Sequence, residues 1–361
     1  MSEPLTPLYL GIDGGGSKTL AVIVDAAGRE RGRGVAGSSN HEVVGLEAAV
    51  TAIQHAAGRA AQAATIALPV ASAWLGLAGI DHPGDSERLA PHVASLARAV
   101  RISNDAELAL SALPGQVGVA LIAGTGSIVL GRDTLGRTAR VGGWGHIFGD
   151  EGSGYAIGRA GLQAAARASD GRGPATALLE RILAAWELGA PELLLARVYQ
   201  PFDKTAIAAL APLVLALATA GDEVARRIEA DAARELALAV TTVAQKLNFP
   251  EGALPLAFAG GVLVHHERLR ALVAGEVSGQ VGGLLPLSPS PKEGGGTRSD
   301  PTESGFGRGG RDSGSGSPPR RGEGLAERAD RTVTPVVVAE PATSAARSLC
   351  AMNLEDTDGD S

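Results

Sequence analysis

Apolar positions along this chain fall into short runs cut by glycines, and then into longer stretches with helical spacing. Residues 8–12 and 20–25 are β-branched and leucine-rich runs on either side of Gly14-Gly15-Gly16, which predicts two strands joined by a glycine turn. Ala27-Gly28 reads as the next turn. Residues 42–63 have helical spacing, 73–78 form a buried-type strand run, 86–99 a helix, 100–103 a strand and 106–113 a helix. The resulting β-β-β-α-β-α-β-α order predicts an α/β unit, a mixed sheet covered by helices.

A second unit begins near residue 115. The run 117–123 ends in Gly124-Thr125-Gly126, the run 127–132 follows as a strand, and 134–136 is turn-like. A strand, a glycine hairpin and a strand therefore occur once in each half. Residues 153–169, 175–199 and 203–247 read as helices. A short strand at 256–259 runs into Gly260-Gly261, and 265–272 follows as a helix. From about 283 to 331 the chain is rich in Gly, Ser, Pro and Arg and almost lacks apolar residues. Such a segment buries too little surface to offset its chain entropy, so it is expected to be a disordered insertion. Residues 333–338 and 342–352 read as a final strand and helix, followed by a loose acidic tail at 353–361.

Composition narrows the functional classes. The 361 residues are 45% hydrophobic, enough for two units with their own cores. The formal net charge of -7 argues against nucleic acid as the main partner. The single cysteine, Cys350, excludes a disulfide framework, a cysteine zinc cluster or an iron–sulfur cluster held within one chain. No basic region followed by an apolar run opens the sequence, so no signal peptide is expected. The longest apolar stretch, near 205–220, contains Pro212 and closes at Gly221-Asp222, which makes it too short to span a membrane. A cytoplasmic protein is the expectation.

The chemistry starts at Gly11-Ile12-Asp13-Gly14-Gly15-Gly16-Ser17-Lys18-Thr19. A Walker A loop needs glycine immediately before Lys-Ser/Thr, and here Ser17 intervenes. A dinucleotide fingerprint needs a third spaced glycine opening a helix, whereas the next element alternates as a strand. What remains is a hairpin whose glycines let backbone N–H groups approach an anion, with Ser17 and Lys18 as further donors. Asp13 at its mouth is placed for a hydrated Mg²⁺, and an ordinary tight hairpin is the alternative.

The Asp13–Thr19 stretch, Gly124-Thr125-Gly126-Ser127 and Ala259-Gly260-Gly261 fall in the order of the two phosphate loops and the adenosine loop of the actin/hexokinase/Hsp70 ATPase superfamily. Ser39-Asn40-His41, Ser103-Asn104-Asp105-Ala106 and the run from Gly142 to Ser153 (GGWGHIFGDEGS) resemble the N-acetylglucosamine kinase branch of the BadF/BadG/BcrA/BcrD ATPase family. The resemblance covers roughly 8–280 and 333–352. It implies two ribonuclease-H-like lobes around a central cleft, with an N-terminal lobe at 1–115 and a C-terminal lobe at 116–282. It also implies an ATP- and Mg²⁺-dependent kinase that phosphorylates the 6-hydroxyl of N-acetylglucosamine or a related hexosamine. A homodimer is common in similar kinases.

The same resemblance assigns roles. Asp105 is the general base, with an N-cap aspartate as the alternative. Gly15, Gly16, Ser17, Lys18, Thr125 and Gly126 contact phosphate, and Asp13 holds the metal. Gly260 and Gly261 let the chain pass close to adenosine. Asn40, Gly143, Trp144, Gly145 and Asp150 contact the sugar, together with Asp105; core packing is the alternative for Trp144 and a helix cap for Asp150. His265-His266 is read as surface rather than a metal pair. One departure is Pro341-Ala342-Thr343-Ser344-Ala345, where the family often has glycine in place of Ser344. That puts a site residue there, and the packing of the last helix, in doubt. Two other classes compete: an ATPase activator of a dehydratase or reductase, which needs interface cysteines, and a non-catalytic sugar sensor.

Overall fold

The computed structural model describes residues 7–80, 82–249, 254–281 and 333–358. The predicted insertion at 283–331 lies outside the described residues. Two five-stranded sheets form among the described residues. The first contains β1 (Leu8–Gly14), β2 (Thr19–Asp25), β3 (Glu30–Ala36), β4 (Val70–Leu77) and β5 (Ala97–Ser103), in the spatial order β3-β2-β1-β4-β5. The second contains β6 (Gly118–Ala123), β7 (Ser127–Arg132), β8 (Thr138–Gly142), β9 (Leu254–Ala259) and β10 (Val333–Val337), in the order β8-β7-β6-β9-β10. In both, the first three strands run antiparallel and the last two pair parallel. The topology of one sheet is therefore that of the other. Even the turns repeat: Asp25 Oδ1 accepts from the N–H groups of Ala27 and Arg29, and Asp133 Oδ1 accepts from those of Leu135 and Arg137.

The helices are α1 (His41–Val44), α2 (Leu46–Ala64), α3 (Pro83–Val93), α4 (Asp105–Leu110), α5 (Gly154–Ser169), α6 (Leu178–Ala185), α7 (Leu193–Tyr199), α8 (Lys204–Ala208), α9 (Ala211–Ala220), α10 (Glu223–Lys246), α11 (Gly261–His265), α12 (Glu267–Val281) and α13 (Pro341–Asp358). Several predicted helices are shorter than their apolar spacing suggested. The 42–63 stretch breaks at Gly45, whose φ of 80° ends α1 and caps α2. The 86–99 stretch stops at Val93, and β5 takes over from Ala97 after a 3₁₀ turn. The 175–199 stretch divides into α6 and α7, and 203–247 into α8, α9 and α10, the last break falling at Gly221-Asp222. No single helix among the described residues is long and apolar enough to cross a membrane.

Each lobe has its own core. Leu10, Ile12, Ile23, Leu75 and Leu77 bury against Ile53, Ala56 and Ala60 of α2. The second core gathers Val119, Leu121 and Phe258 against α5, α9, α10 and α12. Two helices tie the lobes together. In α4, Leu108 joins the cluster of the first sheet, while Ala109 and Leu110, with Leu113 just beyond the helix, pack with Ala120 and Ala257 of the second. Glu107 accepts from Arg101 of β5 at 2.5 Å and from Arg132 of β7 at 3.3 Å. The chain then enters the second sheet as edge strand β10, where Pro335 is tolerated because an edge leaves one side unpaired. It returns as α13 to cover Tyr9, Val22, Val24 and Trp74 of the first sheet. Ser344 does not prevent this packing: Ala342, Ala345 and Ala346 are fully buried, and Gly11 accepts the close backbone of Ala342.

Candidate active site

Parallel strands deliver their loops to one end of a sheet, and ligands in such folds bind outside the carboxyl ends. Register defines that end here. Asp13 of β1 lies opposite Gly76 of β4, and Gly76 lies opposite Ser103 of β5. Asp13 and the Ser103-Asn104-Asp105 segment therefore leave the first sheet from the same row. Loop hydrogen bonds draw other segments to this edge. Gly14 O accepts from Ala78 N at 2.8 Å, and Gly15 O accepts from Ser38 Oγ at 3.1 Å and Ser39 N at 3.3 Å. Asn40 sits against Gly79, where a Cβ would come within 2.8 Å of Asn40 Oδ1. Asn40 also caps α1, accepting from Glu42 N at 3.0 Å.

Helix α4 resolves which residue caps it. Asn104 Oδ1 accepts from Ala106 N at 3.0 Å, so Asn104 is the N-cap and Asp105 the first helical residue. The cap alternative for Asp105 is thereby removed. Beside it, a cavity of about 250 Å³ opens between the lobes. Its walls include Ile80, His82, Ser103 and Asn104 from the first lobe, and Ile128 and Arg140 from the second.

Asp13 is half-buried, and burial pushes its carboxyl up to about 6, against the opposing pull of the Lys18 ammonium. Ser17 and Lys18 are exposed at the hairpin tip, Gly16 has open space around its α-carbon, and a Cβ on Gly15 would meet only Lys18 O, at 3.6 Å. No cluster of three or more His, Cys, Asp or Glu side chains suited to a metal occurs among the described residues. A single recessed carboxylate beside a glycine hairpin is compatible with Mg²⁺, an ion that keeps most of its water and takes other ligands from bound phosphate.

The second lobe assembles the remaining predicted residues. Gly124 N donates to Gly126 O at 2.9 Å and closes the second hairpin. Gly154 N and Tyr155 N, at the start of α5, donate to Gly124 O and Thr125 O. The Gly260-Gly261 turn packs on the same hairpin: a Cβ on Gly260 would lie 2.5 Å from Ala123 O and 2.9 Å from Gly124 N. Asp150 is 3% exposed, and its Oδ1 accepts from Ser127 N at 3.1 Å. Ser153, not Asp150, caps α5 with its hydroxyl, accepting from Ala156 N at 3.2 Å. Gly143 and Gly145 have φ of 73° and 75°, and Arg140 donates to Gly143 O at 2.9 Å. Trp144 is 67% exposed beside Phe148, which excludes core packing for it. His265 is exposed and His266 half-buried.

Three supporting residues were not legible as such. Lys204 pairs with Asp150, His146 stacks on Phe202, and Arg140 underlies Gly143. Their partners are supplied by the tertiary fold, and no local spacing announces them.

Two sheets of matching topology, each with a glycine hairpin at its mouth and a cavity between them, make up a two-lobed ATPase of the actin-like class. The chain belongs to the BadF/BadG/BcrA/BcrD ATPase family, whose model matches residues 10–285. It is 36% identical over 270 residues to an N-acetyl-D-glucosamine kinase of Dictyostelium discoideum, covering 70% of this chain and 85% of that protein. It is 38% identical over 259 residues to an N-acetylmuramic acid/N-acetylglucosamine kinase of Clostridium acetobutylicum, with the same coverage. Among solved structures, a Chromobacterium violaceum protein assigned as an N-acetylglucosamine kinase superposes with a TM-score of 0.63 at 26% identity, covering 75% of this chain and 92% of that one.

Proposed function

We propose that this chain is an ATP-dependent amino-sugar kinase that transfers the γ-phosphate to the 6-hydroxyl of N-acetylglucosamine or a related hexosamine. Its similarity to two sugar kinases over most of their length supports the reaction class. The observation that carries the mechanism is the division of labour at α4. Asn104 caps the helix and lines the interlobe cavity, and Asp105 follows it as the first helical residue, next to the sheet row that carries Asp13 and Ser103.

In this reading Asp105 accepts the proton of the 6-hydroxyl as that oxygen attacks the γ-phosphorus and the bond to the β-phosphate oxygen breaks, releasing ADP. Hairpin donors at Gly16, Ser17, Lys18, Thr125 and Gly126 stabilise the charge spread over the phosphates, while Gly15, whose N–H closes the first hairpin onto Lys18 O, leaves room for them. Gly260 and Gly261 make room for adenosine. Asn40 and the Gly143-Trp144-Gly145 loop orient the sugar, and Asp150, its carboxylate buried between Ser127 N and Lys204 Nζ, supports that loop. Asp13 holds Mg²⁺, which supplies charge neutralisation across the phosphates when bound. Closure of the lobes excludes water, which would otherwise compete with the sugar as acceptor. The protein is expected to work in the cytoplasm, and a homodimer is common in similar kinases.

The deciding experiment is an ATP-coupled assay of pure protein against N-acetylglucosamine, N-acetylmannosamine, glucosamine and N-acetylmuramic acid, with the product's phosphorylation site read by NMR. Phosphorylation at O6 of N-acetylglucosamine is the expected result. No turnover with any of the four overturns the proposal.

A further inference from the structure

The strongest unassigned feature lies at the joint between α7 and α8. Helix α8 has five residues, and its first is Lys204. Its seat is close-packed: a Cβ on Gly158 of α5 would lie 2.0 Å from Ile207 O, so the two helices touch backbone to backbone. From that seat Lys204 Nζ donates to Asp150 Oδ2 at 2.8 Å. The other oxygen of the same carboxylate accepts from Ser127 N in the second phosphate hairpin. Gly126 packs directly beneath it, where a Cβ would come within 2.7 Å of Asp150 Oδ1.

Asp150 needs this support. Its φ of 60° is left-handed, a conformation that is strained for a non-glycine residue and persists only where its surroundings over-determine it. Its side chain is 5% exposed, so its charge also needs a close partner. The same connector steadies the neighbouring loop. Phe202 stacks on His146 with ring centroids 5.5 Å apart, and Tyr155 meets the His146 ring edge-on at 5.1 Å. Residues 202 and 204 thus hold the two sides of the segment that carries Trp144 and Asp150.

We propose that Lys204 is a positioning residue for phosphoryl transfer: its ammonium holds the Asp150 carboxylate against Ser127, and so fixes the second phosphate hairpin relative to the sugar loop. The proposal rests on the kinase reading above. An ion pair that only stabilised the fold would leave the chemistry of the folded enzyme unchanged, and that difference is measurable.

The test uses four proteins besides the wild type: Lys204→Met, Lys204→Arg, Asp150→Asn and the Asp150→Asn/Lys204→Met double variant, all assayed well below their melting temperatures. Lys204→Met is expected to lower kcat/KM about 10–100-fold, mostly in kcat, and Lys204→Arg to recover to within about threefold of wild type. In the Asp150→Asn background the Lys204→Met step is expected to cost less than about twofold, because the lysine acts through the carboxylate. The double variant removes both charges, so it avoids a lone buried carboxylate and keeps the comparison readable if Lys204→Met folds poorly. A folded Lys204→Met enzyme within twofold of wild type overturns the proposal. So does a loss that adds in full on top of Asp150→Asn. If the wild type phosphorylates no hexosamine, the kinase reading fails by itself. The same cycle is then read in Mg·ADP affinity by calorimetry, where loss of coupling between the two residues overturns the positioning role.

Discussion

Asn104 and Asp105 are residue types that both cap helices well, and sequence alone offers no way to choose between them. Backbone geometry chooses: Asn104 is extended, with φ -64° and ψ 151°, and its amide oxygen takes the α4 N–H. With Asn104 as the cap and Asp105 read as the base, Asp105→Asn is expected to lower kcat on the order of 10²-fold or more while leaving the KM for sugar within a few-fold, measured by steady-state kinetics. Unchanged turnover would remove Asp105 as the base. Asp13 gives a second test. Its carboxyl is raised to about 6 by burial, so the folded protein holds that proton more tightly than the unfolded chain does. Stability from this group is present below about pH 4 and is lost as pH rises through 6. In chelator, Asp13→Asn is therefore expected to melt at least about 2 °C above wild type at pH 8 and level with it below pH 4, by calorimetry. A gap that does not change with pH contradicts this. The motif residues were legible because short spacings carry them, whereas Lys204 lies 54 positions from its partner and was not.

Strand pairs flanking glycines were legible as elements because both features are local. Helix ends were less so. Apolar spacing continues smoothly from Leu89 through Val93 to Leu96, yet the last of these belongs to the turn into β5. Strand β8 was missed, since Thr138–Gly142 carries two residues, Thr138 and Arg140, that no apolar pattern flags. Packing between elements was not legible at all, and Gly158 shows why: its role is to let Ile207 O approach α5, a contact set by the docking of α8. Gly158→Ala is expected to destabilise the protein by about 1–3 kcal/mol through overpacking, visible as a melting temperature lowered by roughly 2–8 °C. Because α8 carries Lys204, kcat should fall with it. Wild-type melting in Gly158→Ala would show that the two helices separate freely.

At the level of the whole molecule, two lobes could be read from the repeated hairpin, and the match extends to Asp25 and Asp133 holding the same turn in each. The crossing of α13 could not be read, because the apolar face it covers lies in β1, β2 and β4, several hundred residues upstream. Tyr9, Leu20, Val22, Val24 and Trp74 are each under 10% exposed with α13 in place. Burial of such side chains contributes about 1.5–3 kcal/mol each, so losing the cover competes with the whole stability of a domain. A chain ending after Val338 is expected to express as insoluble or dye-binding protein without a cooperative melting transition. A soluble, cooperatively melting truncation would show that the first lobe stands without α13.

That last helix also sets a schedule for biosynthesis. About 250 residues separate the end of β5 from the end of α13, so at usual elongation speeds the nascent first lobe waits roughly 12–50 seconds with its apolar face uncovered. The second lobe, except for β10, emerges during that wait and has its strands and helices in hand first. The lobe made first is thus the lobe completed last, its face of β1, β2 and β4 left uncovered until α13 leaves the ribosome.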